Sequence, residues 1–175
     1  DRITKLRRAN ESQVKRRVNI LAGRSPNLEL VSPNLWIYYP DVIIESINWI
    51  KVVSVFNILN KINNLRFSRS ILKAVRMLGF SDFILFNDND IFRSFYLKDY
   101  LNPELSIYYS RDNLLAVDYW QYHGSRLEPL LMAKSDICVA NSRYLASICK
   151  NYNPNSYDVG QGCVIDQFSS VANDV

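Results

Sequence analysis

The chain has 175 residues, of which 48% are hydrophobic and 22% charged, and its net charge is +4. This is the composition of an ordinary globular protein with room for one domain rather than two. Three cysteines at no metal-ligand spacing argue against a disulfide framework and fit a reducing compartment. With no signal peptide or membrane-spanning segment evident in the sequence, we expect a cytoplasmic domain.

Basic residues are concentrated in residues 1–24, where eight Lys and Arg side chains occur. Apolar residues recur there at roughly helical spacing and Gly23 supplies a stop signal, so one or two basic helices are predicted. A solvated helix face is the favoured interpretation, and contact with anionic lipid headgroups is the alternative. Nucleic acid is disfavoured because no recognised binding module accompanies the charge.

The next elements are two short strands and a long helical region. The strands are predicted in "NLELV" and "NLWIYYP", which are rich in strand-forming residues and are punctuated by prolines. The clearest helix runs from Ser68, as N-cap, to Gly79. Before it, the apolar segment Ile47 to Leu59, with Trp49 and Phe56, could dock on a membrane that presents a lipid-linked acceptor. Core packing is the favoured explanation of that segment.

The second half of the chain alternates between strand and helix patterns. Short apolar runs at 83–86, 105–109 and 137–140 indicate buried parallel strands, and helices are predicted at 91–100, 126–133 and 143–152. This alternation predicts a Rossmann-like, doubly wound, mostly parallel α/β sheet with helices on both faces. Ligands of such sheets bind at the carboxyl ends of the strands, which selects residues 87–90, 110–113, 141–143 and 160–162.

Two common nucleotide-binding signatures are missing from the sequence. Gly160-Gln161-Gly162 lacks the third glycine and the early strand-to-helix position of a dinucleotide fingerprint, and there is no P-loop. We therefore expect no cofactor.

From Leu105 onward the sequence resembles a known enzyme family over about seventy residues. The matching stretches are a strand ending in tyrosines and Asp112, then "KSDICVANSRYL" at 134–145 and "YDVGQGCVIDQF" at 157–168. They resemble the second half of the N-terminal domain of GT-B glycosyltransferases of the group 1, or family four, type, particularly bacterial members of polysaccharide assembly. Two features depart from the family: Val164 stands where an aspartate is usual, and the opening strand with its glycine-rich loop is not found.

The resemblance implies that residues 1–175 form the acceptor-side half of a GT-B enzyme. The nucleotide-sugar, a co-substrate, would then sit mainly on a second domain that this sequence does not contain, so the isolated domain is expected to be inactive. Transfer to a polysaccharide or lipid-linked acceptor would retain anomeric configuration and need no metal. Cytoplasmic location, with peripheral contact at the inner face of the membrane, is the corresponding expectation.

The resemblance and the strand-end rule together select the candidate site residues. Asp112 is the predicted catalytic residue, because its carboxylate could accept hydrogen bonds from sugar hydroxyls or orient an acceptor. His123 lies in a predicted aromatic-rich loop with Trp120. The substrate-binding candidates are Asn87, Asp88, Ser110, Arg111, Trp120, His123, Asn141, Ser142, Gly160, Gln161 and Gly162.

Several of these residues have structural explanations as well. Arg111 could bind a phosphate or pair with Asp112. Asn141 and Ser142 could cap the following helix, and Gly160 could form a tight backbone passage. Ser125 to Glu128 matches a capping box, with Pro129 in or near a first turn, so a structural role is favoured for Glu128.

The stretch "ILFNDNDIF" at 84–92 supports an alternative mechanism. Asp88 and Asp90 resemble the carboxylate pair of metal-dependent GT-A transferases. The favoured interpretation has no metal: Asn87 and Asp88 face the cleft, and Asn89 or Asp90 caps a helix that begins at 91 or 92. A third hypothesis is a non-catalytic module that binds a partner transferase or a membrane surface.

Overall fold

The computed structural model describes residues 11–162. The predicted helix before residue 11 and the features at Cys163, Val164 and Phe168 lie outside the described residues. The chain divides into two compact units. Within the described residues, the N-terminal unit comprises residues 11–82 and 99–102, and the sheet unit comprises residues 83–98 and 103–162.

The N-terminal unit begins with helix α1 (Glu11–Leu21) and an antiparallel hairpin of β1 (Leu28–Ser32) and β2 (Leu35–Tyr38). The helix ends at Gly23, whose positive φ of 69° and bonded amide complete the predicted stop. The hairpin turns through Pro33 and Asn34. Proline followed by a residue at positive φ, here 65°, is the arrangement of a type II turn. The two strands that the turn joins lie where the sequence predicted them, so both predictions are confirmed.

Helix α2 (Val53–Met77) is the longest element described and starts well before the predicted N-cap. Ser68 lies inside it, is buried, and donates its hydroxyl to the carbonyl of Leu65, so the prediction of an N-cap there is wrong. A serine can satisfy its hydroxyl on the preceding turn of a helix as readily as it caps one. Gly79 ends the helix at φ 68°, as predicted, and Phe80 N–H bonds back to the carbonyl of Val75.

The apolar segment from Ile47 to Leu59 is not uniformly buried. Ile47 and Phe56 are buried, whereas Trp49 is 70% exposed and Ile58 is 62% exposed. Core packing is therefore correct for part of this segment and wrong for Trp49 and Ile58. No helix within residues 11–162 has both the length and the hydropathy that crossing a bilayer requires.

The second half of the chain forms a four-stranded parallel sheet in the order β3-β4-β5-β6. The strands are β3 (Ile84–Asp88), β4 (Leu105–Ser110), β5 (Ile137–Ala140) and β6 (Ser156–Asp158). The connections contain α3 (Leu97–Leu101), a 3-10 turn (Leu114–Ala116), α4 (Asp118–Lys134) and α5 (Arg143–Lys150). The three predicted strands and their parallel α/β arrangement are confirmed.

The predicted helices differ from the observed ones mainly at their starts. Residues 91–96 form bends and turns rather than the first part of a helix. Helix α4 begins at Asp118, eight residues before the predicted start at 126, although aromatic residues and Gly124 favour helix only weakly. Tertiary packing overrides that weak local preference, because Leu127, Leu131 and the residues around them are buried.

The helices α4 and α5 contact one face of the sheet. Side chains alternate along β4 between buried and half-exposed positions, and the buried set includes Tyr108 and Ser110. Tyr108 bonds to Glu128 of α4, and Ser110 bonds to Cys149 of α5. On the other face Ile84 and Phe86 are more than half exposed. A helical layer on that face, and the reversal of strand order that a doubly wound sheet needs, stay predictions.

An ionic clamp joins the two ends of the α4–β5 connection to the sheet. The Asp136 carboxylate accepts hydrogen bonds from Lys98 Nζ (2.7 Å) and from the amide and hydroxyl of Ser106 (2.8 Å each). Lys98 also donates to the carbonyl of Lys134, which ends α4. The lysine, followed by the two serine groups, lowers the pKa of Asp136 to about 2.

The hydrogen bonds of Asp136 should make part of the free energy of unfolding depend on pH in acid. Because the folded-state pKa of Asp136 is depressed, its contribution is present above the ordinary value of 3.8 and lost as pH falls through about 2. We expect Asp136→Asn to flatten the fall in unfolding free energy between about pH 4 and 2. Chemical denaturation across that range would measure it. Asp82→Asn, at an exposed carboxylate bonded by Ser81, is the control and should keep the wild-type slope.

Candidate functional site

Polar side chains from the ends of three parallel strands meet at the carboxyl edge of the sheet. Arg111 Nη1 donates to Asp88 Oδ2 at 2.9 Å, and Arg111 Nε donates to Asp112 Oδ2 at 3.3 Å. Asn141 Nδ2 donates to the backbone carbonyl of Arg111 at 2.9 Å. We call these four residues, Asp88, Arg111, Asp112 and Asn141, the Arg111 cluster. The structure therefore brings together four of the residues that the strand-end rule selected.

The charged members of the Arg111 cluster are accessible to a ligand. The side chains of Asp88, Arg111 and Asp112 are 47%, 51% and 62% exposed. Exposed ion pairs of this kind contribute little to stability, about 0–1 kcal/mol, so folding alone gives little reason for three charges here. The cluster offers carboxylate acceptors beside guanidinium donors, a combination that suits ligands whose groups both donate and accept hydrogen bonds.

A buried network supports the loops that carry the cluster. The Tyr108 hydroxyl donates to Glu128 Oε1 at 2.7 Å and lies 3.1 Å from Asn89 Oδ1, and Asn89 Nδ2 donates to the carbonyl of Asp112 at 3.2 Å. Burial raises the pKa of Tyr108 well above its ordinary value and also raises the pKa of Glu128. Asn89 adopts a positive φ of 57°, which asparagine tolerates better than most residues. The network fixes the backbone beside Asp112.

Sequence reasoning missed this network. It assigned Glu128 a structural role, but through a capping box that the structure contradicts, because Ser125 and Glu128 lie inside α4. The Ser125 hydroxyl donates to the carbonyl of Tyr122, and Pro129 is likewise in the helix interior rather than the first turn. The only available signal was the general one that a tyrosine in a buried strand needs a partner for its hydroxyl.

The loop after β3 is held by its own polar side chains. Asn87 is buried, accepts the amide of Asp90 on Oδ1 and donates Nδ2 to the carbonyl of Asp90. The prediction that Asn87 faces the cleft is therefore wrong, because alternation along β3 turns its side chain toward the covered face. Asp88, one residue later, is exposed and belongs to the Arg111 cluster.

Asp90 caps the turn that follows, as one of the two predicted capping residues, but the helix that was predicted to begin at 91 or 92 is wrong, because residues 91–96 form bends and turns. Its Oδ1 accepts the amides of Phe92 (3.2 Å) and Arg93 (2.9 Å), and its Oδ2 accepts Arg93 Nε at 2.6 Å. Asp88 and Asp90 thus bond to different partners. Among residues 11–162 no group of three or more His, Cys, Asp or Glu side chains is arranged to hold a metal ion.

The residues after β5 and β6 follow the predicted pattern in part. Ser142 is the N-cap of α5, and its hydroxyl accepts the amide of Leu145 at 3.4 Å. Gly160 has a positive φ of 69°, as expected of a tight passage, and donates its amide to Asp158 Oδ1 at 2.9 Å. Gln161 and Gly162 are exposed. None of these side chains bonds to the Arg111 cluster in the contacts described for residues 11–162.

Three other candidates do not join the cluster. Ser110 is 2% exposed and turns toward Cys149 on the covered face of the sheet. His123 is 2% exposed and lies in the middle of α4, so the predicted aromatic-rich loop is wrong. Trp120, also on α4, is partly exposed and stacks on Phe92 with ring centroids 5.2 Å apart. The aromatic residues at the start of α4 have weak helix propensity, so this part of the helix was not predicted from the sequence.

No family model, curated protein or solved structure matches the chain. The Arg111 cluster and the sequence features that surround it are therefore the features of the molecule that bear on its function.

Separate replacement of Asp88 and Asp90 tests whether Asp90 serves the fold and Asp88 does not. Asp90→Ala removes a cap on two backbone amides and should lower the unfolding free energy by about 0.5–2 kcal/mol. Asp88→Ala removes one exposed ion pair and should cost no more than about 1 kcal/mol. Urea denaturation of the two variants at neutral pH gives both values. Equal losses would contradict the assignment of Asp90 as the structural member of the pair.

Replacement of Glu128 tests the buried network. Glu128→Ala removes the nearer acceptor of the Tyr108 hydroxyl at 2.7 Å, leaves Asn89 Oδ1 at 3.1 Å, and should cost about 1–3 kcal/mol. Glu128→Gln keeps an acceptor oxygen and should cost less. Because the folded-state pKa is raised, the carboxyl contributes stability below its ordinary value of 4.5 that is lost as pH rises through the folded value. Denaturation of the wild type and Glu128→Gln from pH 4 upward should therefore show the wild type losing stability relative to the variant. Parallel curves would contradict a raised pKa.

Proposed function

We propose that the chain is the acceptor-binding, N-terminal domain of a nucleotide-sugar-dependent GT-B glycosyltransferase of surface polysaccharide or glycolipid assembly. The observation that carries the proposal is the Arg111 cluster, in which exposed Asp88, Arg111 and Asp112 meet at the carboxyl edge of a parallel sheet. Ligands of open parallel sheets bind at that edge.

The chemistry of the cluster suits a carbohydrate. A sugar hydroxyl donates one hydrogen bond and accepts others, so it can bridge an aspartate oxygen and a guanidinium N–H at the same time. Asp112 is the most exposed carboxylate of the cluster, and its backbone is held by Asn89. A carboxylate that is exposed at its oxygens and fixed at its backbone can orient an acceptor hydroxyl without moving itself.

The sequence order supports the same proposal. The stretches that resemble family four transferases supply Asp112 after β4, Ser142 at the start of α5 and Gly160 after β6. The resemblance and the cluster were obtained from different properties, motif order and side-chain geometry, and they select the same edge of the sheet. That agreement is the reason for preferring a transferase over a general α/β module.

In the proposed reaction the acceptor hydroxyl attacks the anomeric carbon of the donor sugar and the nucleoside diphosphate leaves. Asp112 orients the acceptor, and Arg111 holds Asp112 and Asp88 in register while offering N–H groups to acceptor oxygens. The donor would be bound mainly by a second domain, whose positive side chains and amide dipoles stabilise the departing diphosphate. The mechanism proposed for this family type retains anomeric configuration and requires no metal.

Two rival functions make different predictions. A GT-A enzyme would use Asp88 and Asp90 on a divalent cation, and binding of a nucleotide-sugar that depends on Mn²⁺ in this chain alone would favour it. A non-catalytic module would bind a partner transferase, and a separate transferase that copurifies stoichiometrically would favour that alternative. The hydrogen bonds of Asp90 to Phe92 and Arg93 count against the first rival.

The proposal predicts that Asp112 matters for sugar binding and a matched carboxylate does not. Glu104 is also exposed and directly precedes β4, so it lies at the amino end of the strand that Asp112 follows. We expect saturation-transfer NMR with methyl glycosides of glucose, galactose, mannose and N-acetylglucosamine to detect at least one weak ligand. Asp112→Ala should weaken its binding roughly tenfold or more, through loss of a charge-assisted hydrogen bond, and Glu104→Ala should leave it unchanged.

A transfer assay extends the test to any longer polypeptide that joins this chain to a donor-binding domain. Asp112→Ala should lower kcat/KM for transfer, whereas hydrolysis of the nucleotide-sugar in the absence of acceptor should change little. Full transfer activity in the Asp112→Ala variant would contradict the assignment. Failure of all four glycosides to bind the wild-type chain, combined with no transfer by the longer polypeptide, would overturn the proposed function itself.

A further inference from the structure

Helix α2, in the N-terminal unit, carries one continuous exposed stripe. Its members are spaced by three or four residues, which places them on a single face of a helix. We call it the α2 stripe; its members are Val55, Ile58, Ile62, Arg66, Arg69, Lys73 and Arg76. All seven are exposed.

The stripe changes character along the helix. Its first three members are apolar and are 44%, 62% and 47% exposed, and its last four are basic. The opposite face is buried but polar in its middle, where Asn60, Asn64 and Ser68 lie. Phe56 follows the usual distribution of a surface helix, apolar inward and polar outward, whereas Val55, Ile58 and Ile62 depart from it. Exposed apolar area arranged this way marks an interaction surface.

The segment that leads into α2 extends the apolar half of the stripe. Trp49 is 70% exposed and Val52 is 58% exposed, and both lie within four residues of the helix start. The Trp49 indole donates to the carbonyl of Ser46, so the ring is oriented while it remains accessible. Tryptophan favours the boundary between water and lipid headgroups, where its apolar ring and polar N–H are both accommodated.

The charge of α2 has one sign. Residues 53–77 contain five Lys and Arg and no Asp or Glu. Lys73 pairs with Asp41, and the exposed Arg66, Arg69 and Arg76 add to the same face. A surface of this kind is complementary to a layer of negative charge.

We infer that the α2 stripe docks the N-terminal unit on an anionic lipid bilayer, with α2 lying in the plane of the interface. Trp49, Ile58 and Ile62 would enter the boundary between headgroups and acyl chains, and the basic half would lie over lipid phosphates. This inference uses no residue of the Arg111 cluster, and its tests measure vesicle binding rather than sugar binding or transfer, so either proposal can fail without the other.

A bilayer fits the stripe better than a second copy of the chain does. In a parallel pairing of two α2 stripes the basic halves would face each other, and in an antiparallel pairing each basic half would face an apolar one. The stripe contains no carboxylate to compensate the arginines in either arrangement. An anionic bilayer offers acyl chains to the apolar half of the stripe and lipid phosphates to its basic half.

Flotation with lipid vesicles tests the inference on the whole chain. We expect binding to vesicles of phosphatidylcholine with phosphatidylglycerol, and weaker binding to phosphatidylcholine alone. Arg69→Gln with Arg76→Gln should lower the partition coefficient on anionic vesicles about 25-fold, at about fivefold for each charge. Ile58→Ser with Ile62→Ser should also lower it at least tenfold, because apolar area leaves the interface.

Matched variants in the sheet unit serve as controls. Val159 and Tyr144 are 59% and 63% exposed, close to the exposure of Ile58, and Lys150 is an exposed basic residue at the end of α5. Val159→Ser with Tyr144→Ser, and Lys150→Gln, should leave vesicle binding unchanged. Circular dichroism and thermal unfolding of every variant establish that it is folded before its binding is compared.

The fluorescence of Trp49 gives a readout that depends on depth. In a Trp36→Phe, Trp120→Phe background, anionic vesicles should shift its emission to shorter wavelength, and brominated lipids should quench it. Absence of flotation, or flotation that the stripe variants do not weaken, would overturn the inference. A dimer of two chains would also overturn it: sedimentation would show a concentration-dependent dimer of the wild type that Ile58→Ser with Ile62→Ser abolishes, and the wild type would not bind vesicles.

Discussion

The hydroxyl of Tyr108 is the point on which the sheet unit depends. Its ring is fully buried in the central part of the sheet, and the hydroxyl bonds to Glu128 of α4 and to Asn89 in the loop after β3. A buried hydroxyl without a hydrogen-bond partner costs several kcal/mol in an apolar setting. Both α4 and the loop after β3 must therefore lie close enough to the Tyr108 hydroxyl to bond to it. Asn89 then passes the constraint to the carbonyl of Asp112. One satisfied polar group therefore sets the positions of a helix and of two loops.

The same constraint separates the structural from the accessible carboxylates. Glu128 is buried, its pKa is raised by burial, and it serves the fold. Asp88 and Asp112 lie beyond the strand ends, where solvent reaches them and Arg111 links them. Because the buried network fixes the backbone, the exposed side chains need not carry stability. This division leaves the Arg111 cluster available for a ligand.

Three of the four strands of the parallel sheet, with their ends, could be predicted from the sequence because short apolar runs bounded by polar residues have few alternatives, whereas β6, at Ser156–Asp158, has no such run. The runs around Phe86, Tyr108 and Val139 gave both the parallel sheet and the edge where Arg111 and Asp112 lie. The orientation of individual residues could not be predicted in the same way. Asn87 and Ser110 turn away from the cleft because alternation along a strand depends on a register that is set by pairing. His123 was assigned to a loop because Tyr, Trp and Gly near it favour helix weakly, and only packing against the sheet makes α4 begin at Asp118.

In the segment that leads into helix α2 and in the helix itself, a strong local pattern led to a wrong prediction, because apolar residues expected in the core are exposed. An apolar stretch that includes Trp49 and Ile58 ordinarily packs in a core, and the prediction followed that rule. In the structure the buried middle of the helix is instead lined by Asn60, Asn64 and Ser68, with the Asn64 amide bonded to Asn60 inside the helix. Side chains that satisfy one another can be buried at small cost, which removes the need to turn the apolar side inward. The apolar side is then left for an environment outside the described chain, and the run of arginines that continues the stripe defines the charge of that environment.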